Sequence, residues 1–216
     1  MRKKWVLYTS FFVLLAVGFY FVMTKVIPGY GDVKLPVLSH VKPFTFTNQD
    51  GKKVSERDLE GKVYVAEYFF TTCTGICPKL NSNMKEVYED FKDETGLVIL
   101  SHTSDPDTDS VPVLKRYADS MQVNTQRWWF VTGRKDSLYN SARVSYLLDD
   151  PKNNFQQIDD QFLHTQFFAL VDKAGQVRKI YDGLKDDEVR ELKQDIAKLI
   201  KEPVSRKHFS NNLFGN

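Results

Sequence analysis

Residues 62–78 read K-V-Y-V-A-E-Y-F-F-T-T-C-T-G-I-C-P. From Lys62 to Phe70 the run is β-branched and aromatic, broken only by the acid Glu67. A continuous apolar stretch of this length suits a central strand buried on both faces. Pro78 then suits the first turn of a helix, where its missing N–H would have no partner anyway. Leu80, Met84, Val87, Tyr88 and Phe91 follow at helical spacing, and the helix is expected to reach about Glu94. The stretch therefore predicts strand, loop and helix. Cys73 and Cys77, the only two cysteines of the chain, fall in the loop and at the helix start.

Two thiols four residues apart at a strand-to-helix junction have two chemistries. They can close as a disulfide, or hold a soft metal ion as two thiolates. The unpaired N–H groups and the dipole of the helix start favour thiolate over thiol. The plain alternative is a pair of small buried hydrophobes without a role. It fits poorly, because neither cysteine lies inside the strand or on the apolar helix face, and Thr74-Gly75 between them form a turn.

The flanking sequence extends the α/β pattern in both directions. F-T-F-T-N-Q-D-G-K-K-V from Phe44 alternates and turns at Asp50-Gly51, a strong hairpin signal. Ser55-Glu56-Arg57-Asp58 resembles a capping box over one helical turn that Gly61 closes. Leu97 to Ser101 is a second strand, Val113 to Met121 a helix, and Arg127 to Val131 a strand ending at Thr132-Gly133. Lys135 to Leu148 reads as helix and Asp149 to Asp160 as a polar loop. Thr165 to Val171 and Gln176 to Tyr181 form a hairpin around Lys173-Ala174-Gly175. Asp186 to Lys201 is an amphipathic helix with Val189, Leu192, Ile196, Leu199 and Ile200 inward. Parallel strands joined by helices, then an antiparallel hairpin, make an α/β domain with a mixed sheet flanked by helices.

The N-terminus reads differently. Met1-Arg2-Lys3-Lys4 is basic, and Trp5 to Met23 carries no charge. As a helix that run spans roughly 28 Å, close to a bilayer core. Trp5, Tyr8 and Tyr20 suit the interfacial belt, and the basic start places the N-terminus in the cytoplasm. Residues 1–26 are thus expected to be a single transmembrane anchor, 27–42 a Pro/Gly-rich linker containing His40, 43–202 one domain, and 203–216 a mobile tail containing His208. A cleaved signal peptide is the second reading, but no small-x-small site follows the run. The basic segment lacks the Arg- and Ser-rich character of a transit peptide. The expected location is therefore a bacterial inner membrane with the domain facing the periplasm. The formal net charge is +2, and no phosphate-cradling glycine loop, repeat or basic patch interleaved with aromatics occurs, so nucleic acid is not an expected partner.

The C-x-x-x-C-P loop, D-P-D-T-D-S-V-P-V-L-K-R-Y-A from Asp105, the W-x-V-T-G strand end and a single histidine before a strand together resemble the Sco/SenC family. The resemblance runs from about Phe44 to Ile200 and includes the N-terminal anchor. It implies a thioredoxin-like fold and a membrane-anchored copper metallochaperone that assembles the dinuclear copper centre of cytochrome c oxidase. The implied partners are the copper-acceptor subunit of that oxidase and other copper chaperones. It also implies copper, as Cu(I) or Cu(II), held by Cys73, Cys77 and His164.

Two thiolates and an imidazole suit copper, whereas a structural zinc site needs four protein ligands. His102, after the neighbouring strand, is an auxiliary candidate. Thr74-Gly75 stands where the family loop has Pro-Asp, and Leu163 where an aspartate commonly precedes the histidine. Both changes touch the ligand surroundings, and so affinity and potential. Glu67 has two readings. It is a buried carboxylate near the thiols, like the one thioredoxins carry at a similar offset, and kept protonated by desolvation; or it lies near a sheet edge and reaches solvent. Besides copper binding, thiol–disulfide exchange is the alternative function, and peroxide reduction a weaker third. His164 discriminates between the first two, because disulfide exchange needs no third ligand.

Overall fold

The computed structural model describes residues 2–26, 34–150, 163 and 165–204, with side chains from Lys4 to Met23 in the first segment. The chain divides into two units, Met1–Leu35 and Pro36–Asn216. Among the described residues the first holds one helix, α1 (Arg2–Val26), which is long and apolar enough over Lys4–Met23 to cross a membrane. Its large apolar side chains from Trp5 to Val22 are exposed.

The second unit is a mixed sheet with helices on both faces. Its strands are β1 (Ser39–His40), β2 (Thr45–Asn48), β3 (Lys53–Ser55), β4 (Val63–Phe69), β5 (Leu97–Thr103), β6 (Trp128–Thr132), β7 (Phe167–Val171) and β8 (Gln176–Asp182). Its helices are α2 (Cys77–Asp90), α3 (Val111–Met121), α4 (Lys135–Asn140) and α5 (Asp186–Lys201). The strand order is β1-β8-β7-β4-β5-β6-β2-β3. β4, β5 and β6 run parallel, and β7 is antiparallel to β4. Every residue of β4 and β5 is buried, which is why both read as unbroken apolar runs.

The expected turns form where the chemistry calls for them. Gly51, Gly61 and Gly175 take φ of 75°, 78° and 73°, the left-handed region open to glycine. The Ser55 N–H and hydroxyl both donate to the Asp58 carboxylate, at 2.7 and 2.9 Å, and cap a single 3₁₀ turn, Glu56–Leu59. Three differences stand out. Strand β1 pairs with β8 through Ser39↔Val177 and His40↔Gln176, so the sheet begins inside the stretch read as linker. The predicted helix from Lys135 stops at Asn140 and widens into a π-helical turn, Ser141–Ser145, with Leu147 at φ 57°. Helix α2 ends at Asp90, short of Glu94. Most of the polar loop expected over 149–160 and of the expected C-terminal tail lies outside the described residues.

The two sheet faces have different cores. Tyr64, Ala66, Tyr68, Val98, Leu100, Tyr139 and Tyr146 pack on one side. On the other, Phe69 stacks on Tyr117 of α3 and meets Phe130 edge-on. Here Gly183 lets β8 approach α2 closely, since a Cβ would lie 2.7 Å from Leu80 and 2.5 Å from Phe168.

Candidate functional site

Strand β4 delivers the chain to the carboxyl end of the parallel strands, where ligand sites of open α/β sheets gather. Cys73 closes a tight turn, its N–H donating to the Phe70 carbonyl at 3.2 Å. Cys77 is the first residue of α2, with Pro78 in the first turn as expected. Both cysteines are free thiols; Cys73 is partly exposed and Cys77 is 4% exposed. They line a cavity of about 400 Å³ with Phe70, Thr71, Asn81, Tyr117 and Met121. Asn81 donates its amide to the Tyr117 hydroxyl, and Lys85 at the far end donates to the Met121 carbonyl at 2.9 Å. None of Asn81, Tyr117, Lys85 and Met121 was a sequence candidate.

The helix start does not favour a Cys77 thiolate. Burial pushes the Cys77 thiol up to about 12, and the neighbouring Cys73 sulfur adds to the effect. The Phe70 backbone contact opposes it only weakly. Desolvation thus works against the thiolate that the sequence pattern suggested at the helix start.

Glu67 is buried at the middle of the sheet, because β4 sits between β7 and β5. The sheet-edge reading is therefore set aside. Its Oε1 accepts a hydrogen bond from Ser101 Oγ at 2.5 Å, and Ser101 in turn accepts from Trp128 Nε1 at 2.7 Å. Desolvation raises the Glu67 carboxyl to about 8, against the lowering effect of Ser101. Its charge also contributes to the upward shift of Cys77, so it lies within electrostatic reach of the thiols.

His102 does not join them. In the parallel register Glu67 pairs with Ser101 and Tyr68 with His102. Side chains alternate across a strand, so His102 points to the opposite face from Ser101 and Glu67. There it stacks on Tyr68 with ring centroids 4.7 Å apart and packs against Phe46 and Tyr146. Its Nδ1–H faces the Glu67 carbonyl at 3.2 Å, while Nε2 is buried with no hydrogen-bond partner among the described residues. Burial lowers its pKa to about 3, so it is a neutral core histidine. His40 is exposed on the edge strand β1.

His164 lies outside the described residues, as does His208. Among the described residues no third histidine, cysteine or carboxylate joins the two thiols as a metal cluster. The residue before His164 is described. Leu163 is buried, and its N–H donates to the Tyr139 hydroxyl at 3.0 Å. Tyr139 donates to the Ser104 carbonyl at 2.9 Å, and the Ser104 N–H donates to the Phe69 carbonyl at 2.8 Å. A continuous hydrogen-bonded path thus links Leu163 to the strand end that leads to Cys73.

The family model SCO1/SenC matches residues 35–201. The chain belongs to the SCO1/SenC family. It is 33% identical over 172 residues to the SCO1 protein homolog of Bacillus subtilis, covering 78% of this chain and 86% of that one. It spans about half the length of mitochondrial SCO1 proteins from Arabidopsis thaliana and Saccharomyces cerevisiae. Among solved structures it is similar to BsSco, described as a member of the Sco family of cytochrome c oxidase assembly proteins with a disulfide switch. There the TM-score is 0.66 at 30% identity over 79% of this chain and 99% of that one. It is also similar to copper-bound ScoI of Arabidopsis thaliana, with a TM-score of 0.59 at 25% identity over 75% and 98%. The fold of this SCO1/SenC chain is thioredoxin-like, as the resemblance implied.

Proposed function

We propose that this chain is a membrane-anchored copper metallochaperone, with copper as its cargo. In this reading Cys73 and Cys77 bind as thiolates, His164 completes the site, and the acceptor is the subunit that houses the dinuclear copper centre of cytochrome c oxidase. The observation that carries the reading is the pair of free thiols at the start of α2, opening on one cavity in a chain of the SCO1/SenC family. Soft sulfur suits Cu(I), and an imidazole extends the site to Cu(II). The length and composition of α1 support an anchor, and the basic residues at its start support a domain outside the cytoplasm.

The test is a copper titration of the full chain in each oxidation state. The reduced protein should bind one copper, and the protein with a Cys73–Cys77 disulfide none. His164→Ala should lose Cu(II) and its thiolate charge-transfer absorption while retaining part of the Cu(I) binding. Equal Cu(I) uptake by the oxidised protein would sink the two-thiolate site. A reporter joined to the C-terminus should work only outside the cytoplasm; activity inside would sink the topology.

Thiol–disulfide exchange is the second reading, in which the chain reduces the cysteines of its copper acceptor. It is favoured by one partly exposed thiol beside one buried thiol. Exchange that persists in His164→Ala while copper delivery is lost would show the two activities to be separable.

A further inference from the structure

The D-P-D-T-D motif that follows β5 has no part in the copper or thiol chemistry above. Its last aspartate, Asp109, is fully buried. No cation pairs with it among the described residues. Its carboxylate instead accepts from three groups. The Thr71 N–H reaches Oδ1 and Oδ2 at 3.3 and 3.2 Å, the Thr71 hydroxyl donates to Oδ1, and the Thr103 hydroxyl donates to Oδ2 at 2.5 Å. Asp109 is itself fixed, because its N–H donates to the Asp105 carbonyl at 2.8 Å and the Asp105 N–H donates to Thr103 Oγ1 at 2.9 Å.

Thr71 is two residues before Cys73. Cys77 at the other end is held by α2. Between the Thr71 anchor and the helix run only residues 72–76, with Thr74-Gly75 in place of a stiffer pair. A loop of that composition has little preference of its own, so the separation of the two sulfurs depends on what holds its ends. A turn on the surface would be served by an asparagine or serine. A carboxylate withdrawn from water without a counter-ion is expensive, and persists where its hydrogen bonds hold something in place.

We infer that Asp109 is a positioning residue for the thiol pair: its carboxylate clamps Thr71 and so sets Cys73 at the distance from Cys77 at which the two sulfurs act together. The inference rests on Cys73 and Cys77 being a working pair, whether they hold copper or exchange disulfides.

The test is equilibration of the full chain with oxidised glutathione. The two protein thiols close to a disulfide, and two electrons and two protons pass to glutathione disulfide, which becomes two glutathione thiols. Asp109→Asn and Thr71→Val should each lower the closing equilibrium about tenfold, and together by little more than either alone, because they remove one contact. Thr71→Ser, which restores the hydroxyl, should return it to within about twofold. Tyr181→Phe removes a buried hydroxyl that donates to Asp195 at 2.8 Å on α5, and serves as the stability control. It should lower the melting temperature without moving the closing equilibrium. Equilibria unchanged in both Asp109→Asn and Thr71→Val, or moved equally in Tyr181→Phe, would overturn the clamp. A wild-type chain whose thiols do not exchange at all would overturn the working-pair reading, and the clamp with it.

Discussion

Ser101 Oγ donates to Glu67 Oε1 at 2.5 Å, on the sheet face that carries the thiols and away from His102. The Glu67 carboxyl is raised from 4.5 to about 8 by burial. The native state therefore keeps this proton between about pH 4.5 and 8, where the unfolded chain releases it. Stability is highest below that window and falls as pH rises through it, by up to about 1.4 kcal/mol per unit. Glu67→Gln keeps an acceptor for Ser101 and removes the ionisation. Melting temperatures between pH 5 and 9 should decline in the wild type relative to Glu67→Gln. Parallel curves would remove Glu67 as a buried titrating acid.

His102 has the opposite sign. Its pKa falls from 6.5 to about 3 on burial. The unfolded chain takes up this proton as pH drops below 6.5, and the native state resists until about pH 3. The stabilising effect is complete above pH 6.5 and lost across that acid window. His102→Phe retains the stacking on Tyr68 and should flatten the acid decline between pH 6.5 and 4. Copper titrations and glutathione equilibria of that variant should match the wild type; a change in either would return His102 to the thiol site.

Tyr139 ties the residue before His164 to Ser104. Tyr139→Phe leaves the Leu163 N–H without its acceptor, and should cost about 1–3 kcal/mol. Tyr68→Phe is its counterpart, removing a buried hydroxyl that donates to the Leu138 carbonyl at 2.7 Å without touching Leu163. Both should lower denaturant midpoints. Under the copper reading only Tyr139→Phe should weaken Cu(II) more than Cu(I). Equal Cu(II) affinities in the two variants would leave Tyr139 a purely structural role.

The parts of this fold legible in the sequence are those with a local physical signature. Val63–Phe69 is apolar because both faces are covered, and Asp186–Lys201 shows its buried stripe directly. Strand β1 has no such signature: two residues carry no period, and Ser39–His40 is a strand only because β8 offers a free edge. The π-helical turn after Asn140 likewise depends on packing, since Ala142 and Tyr146 both turn into the core. The face of His102 was legible in principle. It shares strand parity with Leu100 and Val98, but the register that sets Ser101 against Glu67 is a non-local fact. Asp109 has no local signature, because nothing in the sequence distinguishes a solvated carboxylate from one buried against Thr71 and Thr103.

The two thiols should differ sharply in reactivity. Cys77 is buried, and its thiol is pushed up to about 12, so at pH 8 almost none of it is thiolate. Thiolate is the nucleophile, and access adds to the contrast, since Cys73 is partly exposed. A brief pulse of iodoacetamide at pH 8 on the reduced full chain should therefore label Cys73 first. In thiol exchange the mixed disulfide should form on Cys73. Cys77 would then attack it, release the partner thiol and close the ring. That second step needs the Cys77 proton to leave, so its rate should climb with pH through the alkaline range. Removing the Glu67 charge lowers one of the barriers to that loss, so Glu67→Gln should move the climb to lower pH. The measurement is peptide mass spectrometry of the pulse-labelled chain, followed by stopped-flow release of a chromophoric thiol from pH 7 to 10. Labelling of Cys77 ahead of Cys73, or a pH-independent second step, would show that burial does not govern this pair.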